Sequence, residues 1–249
     1  MSTQYVFKKP EYEFGLGNLF IQIAAMPSTC RCLHDNVYDY ELANCVVLNG
    51  FTRVSYDGEQ PDCPIYINPV TVQLVHPKIR EIVAPTPYMH QLIAKHKYLL
   101  EGVTVAMSVR RGSYCEDSRQ YKGPRGDGPN QYFCSPTGLE KFKAIIRTTP
   151  GRIFLSSDSV STTRQLVDEF GDKLSVLEMP YTVTSTQDQD AAPTIENLHK
   201  VYLKWFLLSK CPKLYLTGGK QEGLVGFSTY AYIAAIYGAK PFELVFNEG

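Results

Sequence analysis

Four short stretches carry residue types suited to holding a phosphate or a nucleotide. In VTVAMSVRRGSY the apolar run Val103, Val105, Met107 and Val109 reads as a buried strand, and Arg110, Arg111 and Gly112 arrive where it should stop. A guanidinium donates in pairs and stays charged, so an arginine at the carboxyl end of a strand suits phosphate, although surface charge explains the pair as well. IFLSSDS puts Ser156, Ser157 and Asp158 after a second apolar run. Leu214 to Leu216 leads into TGGKQEG, and Gly226, Phe227, Ser228 and Thr229 then open a helix. Gly15, Leu16, Gly17 and Asn18 precede an apolar segment of helical length, Phe14 to Met26. Such a turn brings backbone N–H groups and a helix dipole toward an anion; it also occurs simply as a turn before a core helix.

These stretches need a frame that brings them together. From Val103 onward, strand-like runs at Val103 to Val109, Arg152 to Ser156, Leu174 to Glu178, Lys213 to Leu216 and Phe242 to Phe246 alternate with helical patterns. The helical segments are Thr137 to Arg147, Val160 to Phe170, Ile195 to Lys210 and Ser228 to Tyr237, with Gly171 and Gly238 as stops and Thr194 as a cap. That series predicts an α/β protein with a doubly wound parallel sheet, whose strand ends share one rim. Phosphate would meet arginine and a helix N-terminus there, while Asp158 could accept from the N–H groups of a base or from ribose. Trp205 falls on the apolar stripe of its helix with Leu198, Val201 and Leu208, and is read as core. Earlier, Ala43 to Leu48 and Phe51 to Tyr56 flank Asn49-Gly50, which predicts a hairpin; Cys63 to Ile67 reads as a strand, and Thr86-Pro87 opens a helix through Tyr98.

Two polar segments interrupt this order. Gly112 to Phe133 reads as a long loop that binds or covers an acceptor. Thr182 to Pro193 contains Asp188-Gln189-Asp190, a carboxylate pair able to chelate a cation, yet its distance from an apolar strand favours a helix entry or a solvated loop. Cys30, Cys32 and His34 lack the second ligand pair of a zinc site, and no metal is expected.

Composition narrows the classes. Lys plus Arg and Asp plus Glu stand at 25 each in 249 residues, so no overall field draws the chain to nucleic acid or to an anionic membrane. Any anion site must be local. Seven irregularly spaced cysteines suit reduced thiols. The start, MSTQYVFKKPEYEF, lacks the apolar stretch of a signal peptide, which predicts a cytoplasmic home or a targeting segment lost from the sequence.

Taken together, the motifs resemble a known family. GLGNLFIQIAA resembles the opening GLGNQxFQxAA of the α-1,2-fucosyltransferases, with a Gln missing and an Ile added. SVRRGSY resembles their HxRRGDY, IFLSSDS their strand ending in Ser-Asp-Asp, and WFLLSKCPKLYLTGGKQEGLVGFSTYAYIAA their LMSxCxxxIxxxSSFSWWAA. The four motifs run in order from residue 14 to 235. The resemblance, shared more loosely with the wider fucosyltransferase superfamily, implies a GT-B-like fold of two Rossmann-like domains. It implies an N-terminal α/β acceptor domain at 1–100, with a diphosphate-contacting loop at 14–18, and a nucleotide-sugar domain at 101–249. It further implies an inverting, metal-independent glycosyltransferase without a cofactor, which passes L-fucose from GDP-fucose to a hydroxyl of a glycan acceptor.

By that resemblance Arg110 matches the arginine on the donor's β-phosphate and Arg111 its neighbour. Asp158 matches the carboxylate that contacts guanine, and Phe227, Ser228 and Thr229 fall in the segment beside the diphosphate. Gly15, Gly17 and Asn18 match the first loop. Ser108 stands where the family has His, Ser113 where it has Asp, and Gly226 where it has Ser. With Asp absent at 113, Glu116 and Asp117 are the nearest candidates for a general base, and they read equally as solvated loop acids. The same departures leave open another UDP- or GDP-linked donor, or a degenerate nucleotide-sugar-binding module.

Overall fold

The computed structural model describes residues 6–7, 16–26, 30, 32–34, 45–54, 76–111, 114–115, 120–123, 126–127, 133–178, 195–221 and 224–246. In chain order the first elements are β1 (Val6–Phe7), α1 (Leu16–Ala25), β2 (Cys32–His34), β3 (Val46–Leu48), β4 (Thr52–Val54), α2 (His76–Ile82), β5 (Val83–Pro85) and α3 (Pro87–Lys95). There follow β6 (Val103–Val109), β7 (Tyr114–Cys115), β8 (Gln120–Gly123), β9 (Gly126–Asp127), α4 (Pro136–Thr148), β10 (Arg152–Ser157), α5 (Val160–Phe170) and β11 (Leu174–Val176). The chain continues through α6 (Ile195–Lys210), β12 (Leu214–Gln221), β13 (Leu224–Phe227), α7 (Thr229–Gly238) and β14 (Phe242–Phe246).

Five parallel strands in the order β11-β10-β6-β12-β14 form the main sheet. Residues alternate between its faces with the period of two that a strand imposes. Ala106, Phe154, Leu214 and Leu216 enter one core with α1, α3, α6 and α7, while Met107, Val109, Ile153 and Leu155 enter another with α4 and α5. Helices therefore cover both faces. The first of these cores also takes in Leu33, Val46, Ile79 and Met89, so residues of the first 100 pack continuously against α6 and α7. Trp205 is fully buried at its centre, edge-on to Phe20 with centroids 5.2 Å apart, and its indole N–H donates to the Tyr230 carbonyl.

The helix borders follow local chemistry. Thr86 caps α3 by accepting from the Met89 N–H, Ser135 caps α4 through the Gly138 N–H, and Ser159 caps α5 through the Thr162 N–H. Gly171 ends α5 with φ +53°. Gly238 differs from its expected role as a stop. It is the last residue of α7, and Ala239 takes the left-handed conformation instead. The reason is packing, since a Cβ on Gly238 would collide with the Ser209 carbonyl oxygen.

Two expectations need correction. Asn49-Gly50 turns the chain, with Gly50 at φ +78°, yet it makes no hairpin. β3 pairs antiparallel with β5, while β4 runs parallel to β2 in a separate sheet. The turn's polar groups go to α2: the Asn49 N–H donates to the Ile82 carbonyl at 2.7 Å, and the Asn49 amide to the Glu81 carbonyl at 3.1 Å. The strand expected to end at Leu216 runs on, because residues Gly218 to Gln221 prolong β12 and pair antiparallel with β13, which takes in Gly226 and Phe227 from the expected helix opening. Within the segment 112–133, β7, β8 and β9 form a small antiparallel meander. The strand expected at Cys63 to Ile67, the Asp188 and Asp190 pair and the Thr194 cap lie outside the described residues. No helix among the described residues is long and apolar enough to cross a membrane.

Candidate functional site

The carboxyl ends of β6, β10 and β12 meet at one rim because these strands are parallel neighbours. Thr217 joins two of them. Its fully buried hydroxyl accepts from the Arg110 N–H at 3.0 Å and donates to the Ser108 carbonyl at 3.1 Å, while its own carbonyl accepts from the Ser228 N–H at 3.2 Å. One threonine thus fixes the exit of β6 relative to the entry of α7. β13 pairs with Gly218 on the side opposite β14, so it takes the place beside β12 that β6 vacates where it ends.

Arg110 is half-buried, and its guanidinium carbon lies 4.7 Å from the centroid of the Phe133 ring. The ring face so placed attracts the cation through its quadrupole. Arg111 is directed differently. It is 3% exposed, and its guanidinium donates to the Cys134 carbonyl at 3.0 Å. Its backbone N–H donates to Asp158 Oδ1 at 2.7 Å, which ties the end of β6 to the turn between β10 and α5. Beneath that turn the buried Lys204 ammonium of α6 donates to the Ser157 carbonyl at 3.1 Å. Burial lowers the Lys204 pKa to about 8, against the pull of the Asp158 carboxylate. Burial pushes the neighbouring Cys134 thiol up to about 12, where it stays protonated.

The start of α1 completes the rim. An ideal Cβ on Gly17 would lie 2.5 Å from the Thr229 carbonyl carbon and 2.6 Å from the Tyr230 nitrogen, so only glycine lets α1 rest against the backbone of α7. Two helix N-termini therefore abut. The first hydrogen bond inside α7 runs from the Tyr232 N–H to the Ser228 carbonyl, so the Thr229, Tyr230 and Ala231 N–H groups have no partner within the helix. Each N-terminus carries about half a positive charge, and bringing two together is offset best by an anion.

Of the residues expected at the site, Arg110, Arg111, Asp158, Ser228 and Thr229 thus share the rim, with Gly17 at its α1 edge. Phe227 ends β13 half-buried, its ring 4.8 Å from Tyr232. Asn18 lies in the first turn of α1, while Gly15, Glu116 and Asp117 lie outside the described residues. Thr217, Phe133 and Lys204 were not singled out from the sequence. Lys204 could have been, as a cation inside an otherwise apolar helical face; Thr217 looks like an ordinary strand-end hydroxyl, and the two partners of that hydroxyl lie over 100 residues away. Among the described residues no cluster of three or more His, Cys, Asp or Glu side chains could hold a metal, and Cys134 and Cys211 are buried free thiols.

The fold and rim define an α/β protein with a parallel sheet, whose strand ends lie beside two helix N-termini. No protein-family model matches the chain, and no curated protein does. Solved structures do. A structure of NodZ α-1,6-fucosyltransferase co-crystallised with GDP superposes with a TM-score of 0.53 at 12% identity, over 94% of this chain and 92% of that one. Another, soaked with GDP-fucose, gives 0.53 and 12% over 95% and 93%. The chain is similar to both in fold, and that fold is the GT-B-like arrangement expected from the motifs.

Proposed function

We propose that this chain belongs to the fucosyltransferase superfamily and transfers a sugar, L-fucose, from a GDP-linked donor to a glycan hydroxyl with inversion. The observation that carries the reading is the meeting of the α1 and α7 N-termini at Gly17 and Thr229, beside Arg110 anchored on Thr217. That arrangement suits a diphosphate. Two structures of similar fold come from crystals exposed to GDP or GDP-fucose, which supports the choice of donor.

In this reading the acceptor hydroxyl attacks the anomeric carbon while the bond to the diphosphate oxygen breaks. Negative charge grows on the leaving diphosphate, where Arg110 and the helix N-termini stabilise it, as oriented donors do at a developing anion. Arg111 adds to the local positive field, and Asp158 accepts from the N–H groups of the base. The proton of the attacking hydroxyl passes to a general base, with Glu116 and Asp117 as the candidates. In this reading no metal takes part, so full activity in excess chelator is expected; loss of activity would favour a transferase that meets the diphosphate through a divalent cation held by Asp188 and Asp190.

A donor screen that reports released nucleotide tests the assignment. GDP-fucose with a glycan acceptor should give free GDP, and release from a UDP-sugar instead would assign the same site to another donor. One observation favours a second reading, a binding module without turnover. Ser108, which stands where the related enzymes carry histidine, is 5% exposed, and its carbonyl is engaged by Thr217. Slow donor hydrolysis over hours would count against that alternative.

A further inference from the structure

Lys204 stands among the core residues Leu203, Trp205, Phe206 and Leu207 of α6, where nothing about the packing of the helix calls for a cation. It is 7% exposed, and its ammonium reaches the Ser157 carbonyl. A buried ammonium is costly unless an opposite charge offsets the lost hydration. The charge that opposes this cost in part is Asp158, the next residue along the turn whose Ser157 carbonyl the ammonium holds. Asp158 is therefore approached from two directions. The Arg111 N–H holds Oδ1 from the β6 side, and the Lys204 ammonium lies on the α6 side, gripping the turn that carries the carboxylate.

We propose that Lys204 is a positioning residue for Asp158, fixing its carboxylate from the buried side of the β10–α5 turn so that it selects a guanine base. The proposal rests on the reading of this rim as a GDP-sugar site. Guanine offers two neighbouring donors, a ring N–H and an exocyclic amino group, which one carboxylate of fixed plane can accept together. Hypoxanthine keeps the ring N–H and lacks the amino group. Uracil places its N–H between two carbonyl oxygens, which a carboxylate repels. A carboxylate free to swing loses the second contact first, so the amino group is what Lys204 makes readable.

Calorimetry with GDP and inosine diphosphate on the whole chain tests this, using Lys204→Met, which keeps the apolar stem and removes the charge. The preference for GDP over inosine diphosphate should fall at least ~10-fold in the variant, while affinity for inosine diphosphate changes less than ~3-fold, since a lost polar contact to one substrate group acts on that substrate alone. Equal losses for both nucleotides, or no loss, would overturn the proposal and leave Lys204 a core residue. Lys204→Gln, which keeps a donor for Ser157, replaces the Met variant if that fails to fold.

A second arm needs no nucleotide. In urea unfolding of the wild type, Lys204→Met, Asp158→Asn and the double variant, the effect of Asp158→Asn on the unfolding constant should be at least ~5-fold smaller without the lysine, as expected for groups coupled through one turn. Additive effects would overturn the coupling. Wild-type protein that binds neither nucleotide would refute the GDP reading, and the unfolding cycle would still decide whether Lys204 acts on Asp158.

Discussion

The Arg110 N–H donates to the Thr217 hydroxyl at 3.0 Å, linking residues 107 positions apart at the ends of adjacent strands. Because the same hydroxyl donates to Ser108 and the same residue's carbonyl holds the Ser228 N–H, the arginine and the helix entry move as one unit. Replacing Thr217 with Val keeps the volume and deletes the hydroxyl. The Arg110 N–H then loses this partner in a part-buried site, a change that costs about 1–3 kcal/mol. Urea unfolding should show that loss, together with weaker GDP binding; an unchanged midpoint would mean that the rim does not depend on this joint.

Gly17→Ala tests the contact between α1 and α7. Its new Cβ would meet backbone at 2.5 Å, and backbone cannot swing aside as a side chain does. Overpacking of this kind costs roughly 1–3 kcal/mol. A lower melting temperature and weaker nucleotide binding are expected together, since parting the two helix starts also disperses their positive ends. A variant as stable as the wild type would show that the helices need not touch.

Phe133→Leu probes how Arg110 is held. The phenyl face beneath the guanidinium contributes about 0.5–2 kcal/mol, and leucine fills much of the space without offering a π face. Donor affinity should fall several-fold while Phe133→Tyr restores it. Equal affinity in the leucine variant would make the stack incidental.

Much of this architecture was readable before the structure. β6, α5 and α6 match their expected limits, because each has a clear apolar period and a polar or glycine border. The hairpin at Asn49-Gly50 misled for a physical reason: a dipeptide specifies a turn, whereas pairing is decided by partners such as β5, over 30 residues distant. Gly17 and Gly238 look like loop glycines, yet each is required by the backbone of another helix. The arginine pair was visible as a pair, while its division of labour was not. Arg110 stacks at the rim and Arg111 turns inward to Cys134, a distinction that depends on what surrounds each side chain.

Lys204 predicts a particular dependence of stability on pH. Its folded pKa, about 8, lies below the ordinary lysine value of 10.5, so between these limits the unfolded chain binds more protons than the folded one. Stability from this group therefore rises with pH through that window, by at most roughly 3 kcal/mol. Asp158 is the charged group that opposes the shift. Subtracting the unfolding free energies of Lys204→Met from those of the wild type between pH 7 and 10.5 should leave an upward slope. A flat difference would show that the ammonium is hydrated in the folded protein.

The central claim is that Arg110 and the two helix N-termini form a diphosphate site. Calorimetric titration of GDP into the wild type and into Arg110→Ala tests it most directly, with circular dichroism to verify the fold of the variant. Two charge-assisted hydrogen bonds are worth about 3–6 kcal/mol together, so the affinity should fall by about 100-fold or more with the fold intact. GDP binding of equal strength in the two proteins would contradict the account.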